Sequence, residues 1–551
     1  MKPSRSHIFI LTGLALIFFF PFLGGVNLFD WDENNFAEAA REMLIMQDYL
    51  RVHINFQPFW EKPPLFFWLQ ALSMELFGVN EYAARFPNAV CGIATLITLY
   101  MIGCRLKGRT FGMIWALAYF GSLLPHFYFK SGIIDPWFNF FIFLGFYFFI
   151  RYNWKKNNLS LPAKHSKYSY LFVSGVFISL AIITKGPVAF LLVCLTLFVY
   201  WIFKKFRWFI TIPDFLLYVL FSSSVAALWF GIETLINGPW FVETFITYQW
   251  RLFSTPDAGH KGFAGYHFVI LLLGTFPASI FAIRAFKNLD IIADHEKDMR
   301  LWMLILFWVI VILFSVVKSK IVHYSSMAYF PITYLASVVI YKMIKKEISL
   351  KKWMKVMLVS ISLIITGIFI VLPLIGINIK WLQGKVSDPF ASANMNAEVN
   401  WTGWEGLLGV FFMLAIFFFL RLYKKDKIKK AFISLAITIG LLVNFGLFLF
   451  IGKIEMYSQN APITFLKTLQ DKDVYIITKG YKSYTHYFYG RMKQPDNEKY
   501  TDQDWLLEGN IDKDLYIITK IDKEHKLDQY EDLIRLNEQN GFVFYKREAD
   551  S

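Results

Sequence analysis

Three acidic residues, Asp30, Asp32 and Glu33, stand together just after the first apolar run of the chain, in the stretch FDWDENNFAEAAREML. Carboxylates close to a bilayer are costly unless they serve a site. They also suit a helix start, with Asp32 as the cap and Glu33 in the first turn. A second charged pair, Glu61 and Lys62, precedes Pro63 and Pro64, whose restricted backbone presents both side chains from a rigid corner. Further charges border later apolar runs: His126, Lys130 and Asp135; Lys185 before Gly186 and Pro187; Arg251, Asp257, His260 and Lys261; Lys318, Lys320 and His323. Singly, each reads as a snorkelling anchor or a cap. Together they make a ring of mixed charge on one membrane face, suited to an anionic lipid phosphate held by Lys and Arg while a carboxylate meets a sugar or an acceptor.

The elements that must position this ring are membrane spans. The chain has 551 residues, 56% of them hydrophobic, 19% aromatic and 18% charged, with 60 Phe and 18 Trp. That is too apolar for a soluble fold and fits long spans with aromatic belts. At roughly 20 residues per crossing, about thirteen spans are expected. They lie near 8–25, 86–104, 110–124, 136–151, 168–184, 187–203, 213–236, 266–284, 301–317, 323–342, 353–376, 404–422 and 429–451. With the N-terminus in the cytoplasm, about 29 Lys and Arg fall on the inner side against about 12 outside, as the positive-inside bias requires. The same bias explains the net charge of +15 without nucleic acid as a partner. The three cysteines form no disulfide framework.

The expected fold is therefore an α-helical polytopic membrane protein with a small C-terminal α/β domain outside the cytoplasm. Residues 1–452 form the membrane domain and 453–551 the outer domain. In the latter, VYIIT, LYIIT and FVFY read as strands, with helical patterns near 458–470, in YKSYTHYFYG and near 526–537. In the 26–85 loop, residues 33–46 read as an amphipathic helix lying in the interface, with Glu38, Arg41 and Glu42 on its polar face, and 65–77 reads as a second interfacial helix. No Walker loop, GxGxxG after a strand, GxSxG or HExxH occurs. A transferase acting on the outer face would lack a nucleotide-sugar pool and need a lipid-borne donor.

At these residues the chain resembles the polytopic C-fold glycosyltransferases that use polyprenyl-phosphate sugars, specifically the lipid A aminoarabinose transferase group, related to the dolichyl-phosphate-mannose protein mannosyltransferases. The motifs that carry it are DENNFAEAAREML (32–44), FWEKPPLFFWL (59–69), ELFGVNEYAARFPNAV (75–90), TKGPVAFLL (184–192) and SKIVHYSSMAYFP (319–331). The resemblance covers roughly residues 8–345. It implies Asp32 as the leading catalytic carboxylate beside Glu33, Lys62 at the donor phosphate, and Asp135 as a second acidic contact. It also implies Glu61 and His260 as ligands of a divalent metal near that phosphate. Asn35 and Phe36 depart from the Arg and Tyr that often follow the acidic pair in the family.

The implied reaction moves a sugar from a polyprenyl phosphate to lipid A or another periplasmic glycan, by displacement with inversion, in a bacterial inner membrane. Arg251, Lys318 and His323 would assist Lys62 at the phosphate. Two other classes compete. A lipid-linked sugar flippase or transporter would place ionisable groups near mid-membrane on interrupted helices, whereas here they gather at span ends. An oligosaccharide polymerase would lack the paired DE and EKPP motifs.

Overall fold

The computed structural model describes residues 2–159, 165–254, 262–287, 289–291 and 293–550. Among them, eight helices are long and apolar enough to cross a bilayer: Glu81–Lys107, Lys167–Lys185, Ile212–Asn237, Asp294–Val316, Val322–Ile344, Lys352–Ile377, Trp404–Lys424 and Ile428–Met456. Tyr266–Gly274 and Ala278–Ala285, bent by 116° at their junction, make a ninth if they are one span. The expected thirteen is thus not reached by length and composition. Helices do occupy the remaining four runs. Arg5–Phe19, Arg109–Phe120 and Val188–Phe203 are short, and Asp135–Lys156 carries the buried polar residues Asn139, Arg151 and Asn153. A helix packed inside a bundle tolerates both departures, because it meets protein rather than lipid.

The bundle core is aromatic, with Trp115, Trp302 and Tyr200 fully buried and the last two stacked at 3.5 Å. At the end remote from Asp135, two carboxylates tie helices together. Asp298 accepts from Trp154, Trp302, Tyr200 and Lys204, and Asp214 from Tyr152 and Lys167. Satisfied in this way, buried carboxylates fix helix positions instead of destabilising them.

Between the first two long helical regions, Asp32–Met46 and Leu65–Phe77 flank a small hairpin of β1 (His53–Ile54) and β2 (Gln57–Pro58). Its two-residue turn has positive φ at Asn55 and Phe56. Leu65–Phe77 keeps Leu72, Leu76 and Phe77 exposed, as an interfacial helix should. Asp32–Met46 corrects the expectation of a helix with one polar face in water, because Glu38, Arg41 and Glu42 are all buried. Arg41 pairs with both oxygens of Glu38 at 2.7 Å and donates to the Met492 carbonyl, so the charged face is covered by the C-terminal part of the chain.

That C-terminal unit is a four-stranded sheet in the order β3-β4-β6-β5. β3 (Tyr475–Lys479) and β4 (Leu515–Lys520) are parallel, and β6 (Phe542–Arg547) runs antiparallel to β4 and to β5 (Ile534–Gln539). Helices Asn460–Lys467 and Thr485–Gly490 fall where two were expected. The helix expected near 526–537 is not formed. Ile534–Gln539 is instead an exposed edge strand, turned back by Asn540 and Gly541, both at positive φ, which is the Asn-Gly hairpin signature.

Candidate active site

The acidic segment is held from below by Glu33. Its carboxylate takes the Arg85 guanidinium in a fork, at 2.9 and 2.7 Å, and also accepts from the N–H groups of Phe29 and Gly132. Burial alone would raise its pKa, but the Arg85 charge and these hydrogen bonds outweigh burial and hold it below the usual value. Arg85 in turn donates to the carbonyls of Leu23, Val26 and Asn27, which fixes the whole 23–33 turn.

From above, the C-terminal unit grips the same turn. Tyr489 receives the Leu28 N–H on its hydroxyl at 2.6 Å, the Tyr484 N–H donates to Asp30, and Asn34 donates to Thr485. Between these grips Trp31 adopts φ 115° and ψ −76°, a conformation that costs a side-chain-bearing residue about 1–3 kcal/mol. Its ring stands edge-on to Tyr484, and the Lys482 ammonium lies 4.8 Å from its centroid. The strained residue immediately precedes Asp32, the first residue of its helix.

Asp32 points into a cavity of ≈550 Å³. Polar residues on its wall include Asp32, Glu33, Glu61, Lys62, Asp135, Lys185 and His323. The wall also carries the apolar side chains of Val188, Leu191, Leu192, Phe314, Val317, Ile321 and Met327, beside the polar Asn139, Tyr248, Gln249 and Tyr324. His323 stands between two carboxylates, its Nε2 3.7 Å from Asp32 and 4.0 Å from Asp135. One Asp135 oxygen is pinned by the Lys185 ammonium at 2.7 Å, while the other is buried without a hydrogen-bond partner. The Asp32 side chain is 34% exposed and accepts no hydrogen bond among the described residues.

Local sequence explains these placements. Pro63 and Pro64 lead into Leu65–Phe77, Pro64 being its N-cap, and so set the corner that carries Glu61 and Lys62. Glu61 accepts from the Tyr248 hydroxyl at 3.2 Å, and the Lys62 ammonium lies 5.2 Å from the Tyr248 ring. Lys185 ends one helix and Pro187 opens the next, separated by Gly186 at φ 128° and ψ −177°, a conformation open essentially to glycine alone. The Arg251 guanidinium is exposed and lies 5.2 Å from the Tyr248 ring, outside the cavity wall.

Lys318 is exposed and also outside the cavity wall, whereas its neighbour Lys320 turns inward to cap the carbonyls of Phe314, Ser315 and Val317. His260 lies outside the described residues. Among those described, no three His, Cys, Asp or Glu side chains are grouped to hold a metal ion. Glu61 offers one carboxylate on the cavity wall. Phe36, which stands where the family often has Tyr, is buried against Phe66 and Phe67 and lines the cavity. Sequence reasoning put Lys185 in the charged ring without a role of its own and passed over Tyr248 and Tyr324. The TKGP motif was the available signal for the first, and nothing local marks the tyrosines.

Residues 61–230 match the dolichyl-phosphate-mannose-protein mannosyltransferase family. The chain is 26% identical over 345 residues to the undecaprenyl phosphate-alpha-4-amino-4-deoxy-L-arabinose arabinosyl transferase of Wigglesworthia glossinidia brevipalpis, covering 61% of this chain and 58% of that protein. It is 25% identical to the Shewanella sediminis protein of the same name, covering 59% and 58%. The matches thus span under two thirds of these relatives' length. The structure of ArnT from Cupriavidus metallidurans bound to undecaprenyl phosphate superposes with a TM-score of 0.73 at 16% identity, over 98% of both chains. Its apo form superposes at 0.74 and 18%, again over 98% of both. In fold along its whole length, and in sequence over about three fifths of it, the chain resembles the aminoarabinose transferase-like polytopic glycosyltransferases of the C fold.

Proposed function

We propose that the chain is a membrane glycosyltransferase that moves a sugar from a polyprenyl-phosphate carrier to lipid A or another periplasmic glycan. The observation that carries this reading is the cavity itself: the Asp32 carboxylate and an unpartnered Asp135 oxygen share its wall with the Lys62 and Lys185 ammonium groups and with lipid-compatible side chains. A lipid-phosphate sugar has the same mixture, with a charged junction between an isoprenoid tail and a sugar. The relatives are named for an undecaprenyl-phosphate aminoarabinose donor, which makes that class the first donor to test. In this reading residues 453–551 form a domain on the periplasmic side, above an N-terminus in the cytoplasm.

Displacement with inversion breaks the bond between the anomeric carbon and the phosphate oxygen, so negative charge returns to the lipid phosphate. Lys62 stabilises that charge, with Arg251 behind Tyr248 adding positive potential. Asp32 faces the acceptor. If the nucleophile is a hydroxyl, Asp32 takes its proton; if it is an ionised phosphate, Asp32 orients the sugar or the acceptor instead. Asp135, oriented by Lys185, turns its free oxygen toward the sugar. Glu33 positions Asp32 and takes no proton, because its lone pairs are already occupied.

The test is mass spectrometry of lipid A and other extracted glycans from cells with the native chain, with Asp32→Asn, and without the chain. A sugar-sized mass present only with the native chain supports the transferase and names its acceptor. Identical lipids and glycans in all three would overturn it.

A further inference from the structure

The turn that carries Asp32 has a second cavity behind it. This cavity, of ≈340 Å³, lies where β3 and β4 end, between the C-terminal unit and Asp30. Parallel strands commonly present ligand sites at such ends, because the chain leaves both strands there as loops. Lys520 and Lys482 line it. The Lys520 ammonium lies 4.2 Å from the Phe390 ring centroid and 5.0 Å from that of Tyr481, and Lys482 reaches over Trp31 and Tyr484. Neither lysine is in an ion pair among the described residues, and the one carboxylate on the wall, Asp30, is engaged by the Tyr484 N–H.

Two residues of the same lining, His486 and Asn394, each carry a buried polar atom without a partner. His486 is 4% exposed, and its Nδ1 has no hydrogen bond. The Asn394 Oδ1 is likewise unsatisfied. Such orphans are uncommon in folded chains, and a polar ligand would pair them. Burial pushes the His486 pKa down to about 3, so its ring is neutral and offers a hydrogen bond without charge.

We infer that this cavity is the acceptor subsite and takes a phosphate-bearing saccharide, whose phosphate sits between Lys520 and Lys482 and whose sugar stacks on Tyr481 and bonds to Asn394, His486 and Asp30. The inference rests on the transferase reading and adds to it where the acceptor is held. Aromatic faces suit the apolar C–H surface of a sugar ring, and ammonium groups suit phosphate. Asp30 lines both cavities, so the two lie against the same turn that carries Asp32.

The test is binding of glucosamine 1-phosphate to the full chain in nanodiscs, read by saturation-transfer NMR and calorimetry. The native chain should bind it. Lys520→Glu and Asn394→Ala should each weaken binding about tenfold, the loss of one charge-assisted or buried contact, while melting and undecaprenyl-phosphate binding stay native. A lipid-anchored form of the same sugar that binds more tightly supports a glycolipid head group as the source, and equal binding supports a free sugar phosphate. No binding to the native chain overturns the subsite. So does inorganic phosphate bound as tightly as the sugar phosphate, or binding lost in Lys62→Ala but not in Lys520→Glu. Because no readout is transfer, sugar-phosphate binding without sugar transfer would overturn the proposed reaction alone.

Discussion

Asp32 and Glu33 are neighbours of the same charge type with opposite environments, and the difference predicts opposite mutant behaviour. Asp32→Asn removes a carboxylate that holds nothing together, so turnover should fall by about 10² to 10⁴-fold with the melting temperature unchanged. Glu33→Gln leaves the buried Arg85 uncompensated and should cost about 3–5 kcal/mol, visible as a large drop in melting temperature. Glu33 also sets a pH dependence. Its folded pKa lies below the unfolded value of 4.5, so its stabilisation is full above 4.5 and is lost as pH falls through the folded value. The native melting temperature should therefore decline below about pH 4.5. From the chain alone, the pair was legible as a cap or a site. The division of labour was not, because it depends on Arg85 and Gly132, remote in sequence. Lys318 shows the converse limit: in a short loop the direction of each side chain is set by which neighbour caps the preceding helix, and Lys320 takes that place.

At the scale of elements, helix junctions aim the site. Gly186 combines φ 128° with close approach to Phe245, whose ring carbon would lie 3.0 Å from an added Cβ. Gly186→Ala should cost about 1–3 kcal/mol and draw Lys185 away from Asp135, which a donor-binding assay reads as a raised Kd alongside reduced turnover. The apolar runs located helices well, since their signal is long and local. Length and composition alone support eight or nine of the thirteen expected spans among the described residues, and shorter or polar-studded helices fill the other four runs. The face of Asp32–Met46 was misassigned. Glu38, Arg41 and Glu42 look water-facing until the chain near Met492 covers them. Ile534–Gln539 carries a mixed pattern, and only the following Asn-Gly turn marked it as half of a hairpin.

At the scale of the whole molecule, the C-terminal unit supports the turn that carries Asp32. Some 450 residues separate Asp30 from Tyr484 and Asn34 from Thr485 in sequence, yet each pair is hydrogen-bonded. Tyr484→Ala leaves the sheet intact but removes the ring against Trp31. Turnover should fall by about 10- to 100-fold as Asp32 loses its aim, with the sheet's circular dichroism preserved. No composition or periodicity could have revealed this coupling, since it joins opposite ends of the chain. The apolar side chains of the main cavity have a different kind of consequence. A carrier that presents its tail to Leu191, Leu192 and Val317 is dissolved in the bilayer, so it reaches the site by lateral diffusion in two dimensions. What governs its supply is then mole fraction among lipids. On the proposed reaction, diluting the carrier with inert lipid at fixed total concentration should slow transfer, although nothing in the surrounding water has changed.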